Sequence, residues 1–135
     1  MAYWLLKTEP TVYSYSDLER DKKTTWDGVS NNLALKHIRQ IRKGDLAFIY
    51  HTGDEKSLVG VAEVIGEPYP DPKEKNPKLV VVDLKPKEKL PRTVTLAEIK
   101  SQGKLKDFEL VRMPRLSVMP VSESVWKLLG EMAGK

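Results

Sequence analysis

Within Thr25-Trp26-Asp27-Gly28-Val29-Ser30-Asn31-Asn32, eight consecutive residues supply an indole, a carboxylate, a glycine and two amides. An indole normally buries about 150–250 Å² of surface, so its place in a turn calls for an explanation. Asp27-Gly28 marks a sharp reversal directly after the ring. A turn that sets a flat ring beside a carboxylate can grip a flat, hydrogen-bonding ligand such as a nucleobase. The same residues also fit plain packing, with Trp26 plugging the core and Asp27 bonding a loop amide. Other chemistry is sparse. His37 and His51 are the only histidines and there is no cysteine, so no metal site is expected. His37 is expected mid-helix and facing solvent, and His51 in or beneath a pocket wall. No Gly-x-Ser-x-Gly elbow, phosphate-cradling glycine loop or Gly-x-Gly-x-x-Gly is present. Glu9 and Asp27 are the one candidate acid–base pair, weighed against the prior that most such carboxylates are structural. The expectation is a binding protein, not an enzyme, with no cofactor.

The elements that would position these residues follow from composition and pattern. The chain has 135 residues, 40% hydrophobic and 31% charged, with a net charge of +4, which suits one folded domain over residues 1–135 and permits a polyanionic partner. No apolar run approaches the roughly 20 residues of a membrane span, and Met1–Lys7 lacks the basic region of a signal peptide. The absence of cysteine points to an intracellular home: cytoplasmic in a bacterium, nuclear in a eukaryote.

Tyr3–Lys7 reads as a buried strand stopped before Pro10. Ser16-Asp17-Leu18-Glu19 matches a capping box and predicts a short helix from Ser16. Asn31 or Asn32 caps the next helix, whose Ala34, Leu35, Ile38 and Ile41 share one face and which Gly44 closes. Asp45–His51 and Leu58–Ile65 are strands joined by a hairpin loop. The three prolines of Glu67–Pro72 argue against regular structure there. Lys78–Leu84 is a strand, followed by a solvated run at Lys85–Lys89. Thr95-Leu96-Ala97-Glu98 is a second capping box, and Val94 and Ile99 form its hydrophobic staple. Phe108–Val111 is expected to begin an edge strand and Leu116–Pro120 to form a short one. Ser122 caps a last helix with Val125, Leu128, Leu129 and Met132 inward. The sum is an α+β domain: about five or six strands in a small, partly closed barrel, with four short helices.

Five strings resemble the EVE domain family, a branch of the PUA-like superfamily related to YTH-type readers of methylated RNA. They are Trp4-Leu5-Leu6-Lys7-Thr8-Glu9-Pro10, Trp26-Asp27-Gly28-Val29-Ser30-Asn31, Phe48-Ile49-Tyr50-His51, Leu58-Val59-Gly60-Val61-Ala62-Glu63-Val64 and Arg115-Leu116-Ser117-Val118-Met119-Pro120-Val121. They occur in the family's order and span nearly the whole chain. The resemblance implies a PUA-like mixed-sheet pseudo-barrel with helices packed around it. It also implies a pocket for a modified base, either 5-methylcytosine or 5-hydroxymethylcytosine in DNA or a methylated base in RNA. By position that pocket draws on Lys7, Thr8, Glu9, Trp26, Asp27, Gly28 and Val29, with Asn31, Tyr50, His51, Arg115 and Ser117 nearby. Ser30 stands where the family often has arginine, and Leu79 where it commonly has tryptophan.

These residue types suit a base. Extruding one from a duplex costs a few kcal/mol, and stacking on an aromatic ring returns about 1–3 kcal/mol. Trp26 is the expected ring, so Trp26→Ala should weaken binding while leaving the fold intact. Asp27 or Glu9 can accept the N4 protons of cytosine, and Gly28 lets backbone donors approach closely. A buried methyl contributes only about 0.8 kcal/mol, so preference for the modified base should be modest. Lys36, Arg39, Arg42, Lys43, Arg112 and Arg115 are candidate contacts to the nucleic-acid backbone. Two other readings stay open: a general RNA-binding module indifferent to modification, and a small enzyme acting on a nucleoside.

Overall fold

A computed structural model describes all residues, Met1–Lys135. The apolar string Trp4-Leu5-Leu6 becomes the inner strand β1 (Tyr3–Thr8), and Leu5 and Leu6 are completely buried. Each such leucine contributes roughly 1.5–3 kcal/mol of burial. After β1 come α1 (Tyr15–Asp21), β2 (Thr24–Trp26), α2 (Asn32–Gln40), β3 (Leu46–His51) and β4 (Ser57–Val64). The second half holds β5 (Tyr69–Pro70), β6 (Val80–Thr95), α3 (Leu96–Lys100), a 3-10 turn at Gly103–Leu105, α4 (Glu109–Arg112), β7 (Val118–Val121) and α5 (Glu123–Met132).

The strands form one curled sheet in the order β2-β6-β4-β3-β1-β7, with β5 pairing β6 off that path. β1 and β3 run parallel, and every other pair is antiparallel. A parallel pair needs a long crossover, which α1, β2 and α2 provide. That crossover carries Trp26 and its turn past the end of β1. One apolar cluster fills the inside of the curl and includes Trp4, Leu35, Ile38, Phe48, Leu58, Val82, Met119 and Leu129. At its edge the buried carboxylate of Asp45 accepts from the Trp4 indole at 3.0 Å and from the backbone N–H groups of Ala2 and Arg42 at 3.0 and 2.9 Å. Three donors offset the cost of burying that charge.

Several local expectations shift. The first capping box lies two residues earlier than expected: Ser14 caps α1 and Asp17 returns the bond to the Ser14 N–H. Asn31 caps α2, but the helix ends at Gln40, with Ile41 rather than Gly44 at its close. Glu67–Pro72 is not wholly irregular, because Tyr69–Pro70 pair with Val80–Val81 at an edge where a proline needs no donor. β6 continues through the charged Lys85–Lys89 run, since its outward side chains are solvated while Leu84, Leu90 and Val94 point in. Phe108–Val111 is a turn of helix, not an edge strand. The Thr95 capping box and the Ser122 cap stand where the sequence puts them.

Gly60 sits at an irregularity in the β4–β6 ladder, where the Tyr15 ring lies on it. A Cβ there would come within 2.4 Å of the ring. The Tyr15 hydroxyl donates to the Val61 carbonyl at 2.8 Å, and burial pushes the phenol up to about 12. His51 secures the other end of the same residue. Its Nε2 accepts from the Tyr15 N–H at 3.0 Å, so the proton sits on Nδ1 and faces Glu55 at 2.9 Å. His51 therefore anchors α1 to the end of β3.

Candidate functional site

Where the end of β1, the Pro10–Tyr13 loop and the β2 turn converge, the surface opens into a cleft of about 690 Å³. Lys7, Thr8 and Glu9 form one side, and Thr24 to Val29 the other. Val12 and Tyr13 stand at one rim, with Ser117 and Lys73 closing the remainder. The parts are held in place locally. The Thr8 hydroxyl donates to the Tyr13 carbonyl at 2.6 Å, and the Val12 and Tyr13 N–H groups both bond the Glu9 carbonyl at 2.9 Å. Thr25 donates to Asp83 at 2.9 Å, and Tyr69 donates to the same carboxylate oxygen at 2.7 Å, which fixes β2 beside β6. Gly28 has φ +74°, so the reversal after Asp27 uses a conformation that glycine adopts freely.

The polar groups divide into committed and free. Glu9 is committed: it accepts from the Thr11 and Thr52 hydroxyls at 3.2 and 3.3 Å and packs over Gly53. Asp27 is exposed and bonds nothing in the protein. Lys7 is half-buried, and burial holds its ammonium below the usual lysine range. It spends one donor on the Pro114 carbonyl at 2.9 Å, lies 5.8 Å from the centre of the Tyr50 ring, and has no other acceptor in the protein. The Tyr13 hydroxyl donates to Asp21 at 3.0 Å, and burial is the main cause raising that phenol.

Trp26 departs from its expected role as a ring outside the core. Only 7% of it is exposed, it belongs to the core cluster, and Tyr13 meets it edge-on with centroids 6.4 Å apart. Nearly all of the ring is used in packing, and only a small part of it lines the cleft. The Trp26 indole N–H has no protein acceptor yet is not sealed from solvent, unlike that of Trp4, which Asp45 takes.

The EVE domain model matches residues 2–132, nearly the whole of this curled sheet and its helices. The chain belongs to the EVE domain family. Human thymocyte nuclear protein 1 is 31% identical over 90% of this chain and 69% of its own length. A solved structure from Rhodopseudomonas palustris has a TM-score of 0.94 at 43% identity, covering 99% of this chain and 94% of that one. Human THYN1, crystallised in complex with 5-methylcytosine-containing DNA, has a TM-score of 0.92 at 28% identity, covering 100% of this chain and 99% of that one. An ASCH protein from Zymomonas mobilis shares the fold at a TM-score of 0.65 and 12% identity.

In this EVE domain the cleft brings together Lys7, Thr8, Glu9, Trp26, Asp27, Gly28, Val29 and Ser117. Four other candidates lie outside it. Asn31 spends its side-chain oxygen capping α2 at Ala34, Tyr50 is buried beneath Lys7, His51 holds α1, and Arg115 lines a neighbouring groove. Thr25, from the same string as Trp26, also lines the cleft, as do Val12, Tyr13, Thr24 and Lys73, which are not among the sequence's candidates. The signal for Val12 and Tyr13 was their place just after Thr8-Glu9-Pro10; nothing local marks Lys73, which arrives from the distant proline-rich loop. Leu79 is half-buried against the core and Ser30 is exposed, and neither lines the cleft. Among the basic residues, Arg39 donates to the Lys78 carbonyl and Arg42 to those of Arg39 and Ile41, whereas Lys36 and Lys43 keep free ammonium groups. His37 is half-buried rather than solvent-facing, and its Nδ1 is buried without a partner. No group of three or more histidine, aspartate or glutamate side chains is gathered as a metal ion would require, and no helix is long and apolar enough to cross a membrane.

Proposed function

We propose that this EVE domain binds nucleic acid by taking a single base, a methylated cytosine first among candidates, into the cleft beside Asp27. The observation that carries the reading is the free carboxylate of Asp27, set by the Gly28 turn next to Trp26, in a fold whose human relative was crystallised with 5-methylcytosine-containing DNA. Asp27 accepts the cytosine N4 protons, as a carboxylate does in base recognition. The Trp26 indole N–H and the spare Lys7 donors face the base's acceptor edge, and the half-buried Tyr13 ring offers an aromatic wall. Val12, 79% exposed at the rim, gives the base's apolar surface a contact. Nothing in this scheme makes or breaks a covalent bond, so the protein acts as a binding module and not an enzyme.

The test is affinity for short single- and double-stranded DNA and RNA carrying cytosine, 5-methylcytosine, 5-hydroxymethylcytosine, adenine or N6-methyladenine, for the wild type and Asp27→Asn. Asp27 is exposed and outside the protein's own hydrogen bonding, so the variant should fold normally. A lost charge-assisted hydrogen bond of about 1.5–3 kcal/mol predicts roughly 10- to 100-fold weaker binding of the preferred base. Equal affinity for every oligonucleotide, or an Asp27→Asn variant that binds like the wild type, would overturn the proposal.

A further inference from the structure

Beside the cleft lies a second groove of about 340 Å³, lined by Asn31, Leu33, Arg112, Met113, Pro114 and Arg115. The two hollows share a wall. Lys7, which lines the cleft, donates to the Pro114 carbonyl in the groove, and Leu116 of the groove precedes Ser117 of the cleft. On the opposite side, Val29 faces the cleft and Asn31 the groove.

The groove's charge sets it apart. The guanidinium groups of Arg20, Arg39, Arg42 and Arg92 each donate to an acceptor within the protein, but those of Arg112 and Arg115 donate to none and pair with no carboxylate. Both are exposed, and no acidic residue lines the groove. Three other hollows on the surface set a carboxylate beside their cations: Glu131 with Lys104 and Lys127, Asp107 and Glu109 with Lys104, and Asp45 with Arg42 and Lys43. The main cleft likewise sets the carboxylates of Glu9 and Asp27 beside Lys7 and Lys73, and those carboxylates disfavour a phosphate there. A strand whose base enters the cleft must therefore route its phosphates elsewhere, and the uncompensated guanidinium pair next door matches phosphate geometry through paired N–H donors.

We propose that this groove holds the phosphodiester backbone of the strand whose base occupies the cleft, with Arg112 and Arg115 on the phosphates and the Met113-Pro114 surface against the adjoining sugar. The proposal rests on the base-binding reading for the strand's direction, but it is tested separately.

The experiment compares the wild type, Arg112→Gln/Arg115→Gln and Arg112→Lys/Arg115→Lys on two probes across a salt series. One probe is a single-stranded oligonucleotide with a central 5-methylcytosine, and the other is the 5-methylcytidine nucleoside, which has no phosphate. Two lost phosphate contacts should flatten the slope of log affinity against log salt by about 1.4 and weaken oligonucleotide binding tenfold or more at low salt, at roughly 0.7 per contact. Nucleoside binding should not change, and the lysine pair, which keeps both charges, should restore the slope. An unchanged slope in the glutamine pair, a parallel loss of nucleoside binding, or failure of the lysines to restore the slope overturns the proposal. A flattened slope in a protein that shows no base preference would support the groove while removing only the base-reading scheme.

Discussion

Trp26→Ala should destabilise the fold strongly, so a loss of binding in this variant would not by itself report on the cleft. The ring is 7% exposed, lies in the apolar cluster and meets Tyr13 edge-on at 6.4 Å. Removing a buried tryptophan costs about 3–5 kcal/mol in lost transfer and residual cavity. The edge-on partner adds about 0.5–1.5 kcal/mol. Against a total stability of about 5–15 kcal/mol, that is roughly a quarter or more of what holds the fold. For a domain of this size, a Tm drop on the order of 10–20 °C is expected, followed by circular dichroism during heating. Trp26→Phe keeps most of the apolar volume and should cost much less, while removing the indole N–H. Binding should therefore be compared between wild type and Trp26→Phe, at a temperature where both are folded. If Trp26→Ala instead melts within about 3 °C of the wild type, the ring is not a core residue and the argument from its burial fails.

Two further outcomes test the packing. Gly60→Ala places a Cβ against the Tyr15 ring, so overpacking should cost about 1–3 kcal/mol, read as a lower urea midpoint; an unchanged midpoint would show that the ring yields freely. Burial holds the His37 imidazole below its ordinary 6.5, opposed in part by Glu109 and reinforced by Lys36. The unfolded chain therefore takes up this proton first. Its contribution is complete above pH 6.5 and is lost as pH falls toward the depressed native value. The wild type should lose more urea stability between pH 7.5 and 5.5 than His37→Leu does, whereas equal losses would contradict the assignment.

Much of this architecture was legible in the chain because it depends on near neighbours. Trp4-Leu5-Leu6, the Thr95 capping box, the Asn31 and Ser122 caps and the strands around Phe48 and Val61 are set by side-chain period and by bonds spanning three or four residues. The Trp26-Asp27-Gly28 string marked the turn at the cleft for the same reason. What the sequence left open depends on distant partners. Whether the Trp26 ring packs or stacks was decided by Tyr13 and the core closing over it, and the charged Lys85–Lys89 run became strand because β4 was there to pair with it. The distinction between Glu9 and Asp27, alike as carboxylates, came from Thr52 and Gly53 reaching one and nothing reaching the other. His51 looked like site chemistry, yet became an anchor when the Tyr15 N–H arrived at its Nε2. Local sequence determined which elements form and where they begin; the tertiary fold decided which functional groups they consume and which they leave free for a ligand, because hydrogen-bond satisfaction and burial are settled only between residues far apart in the chain.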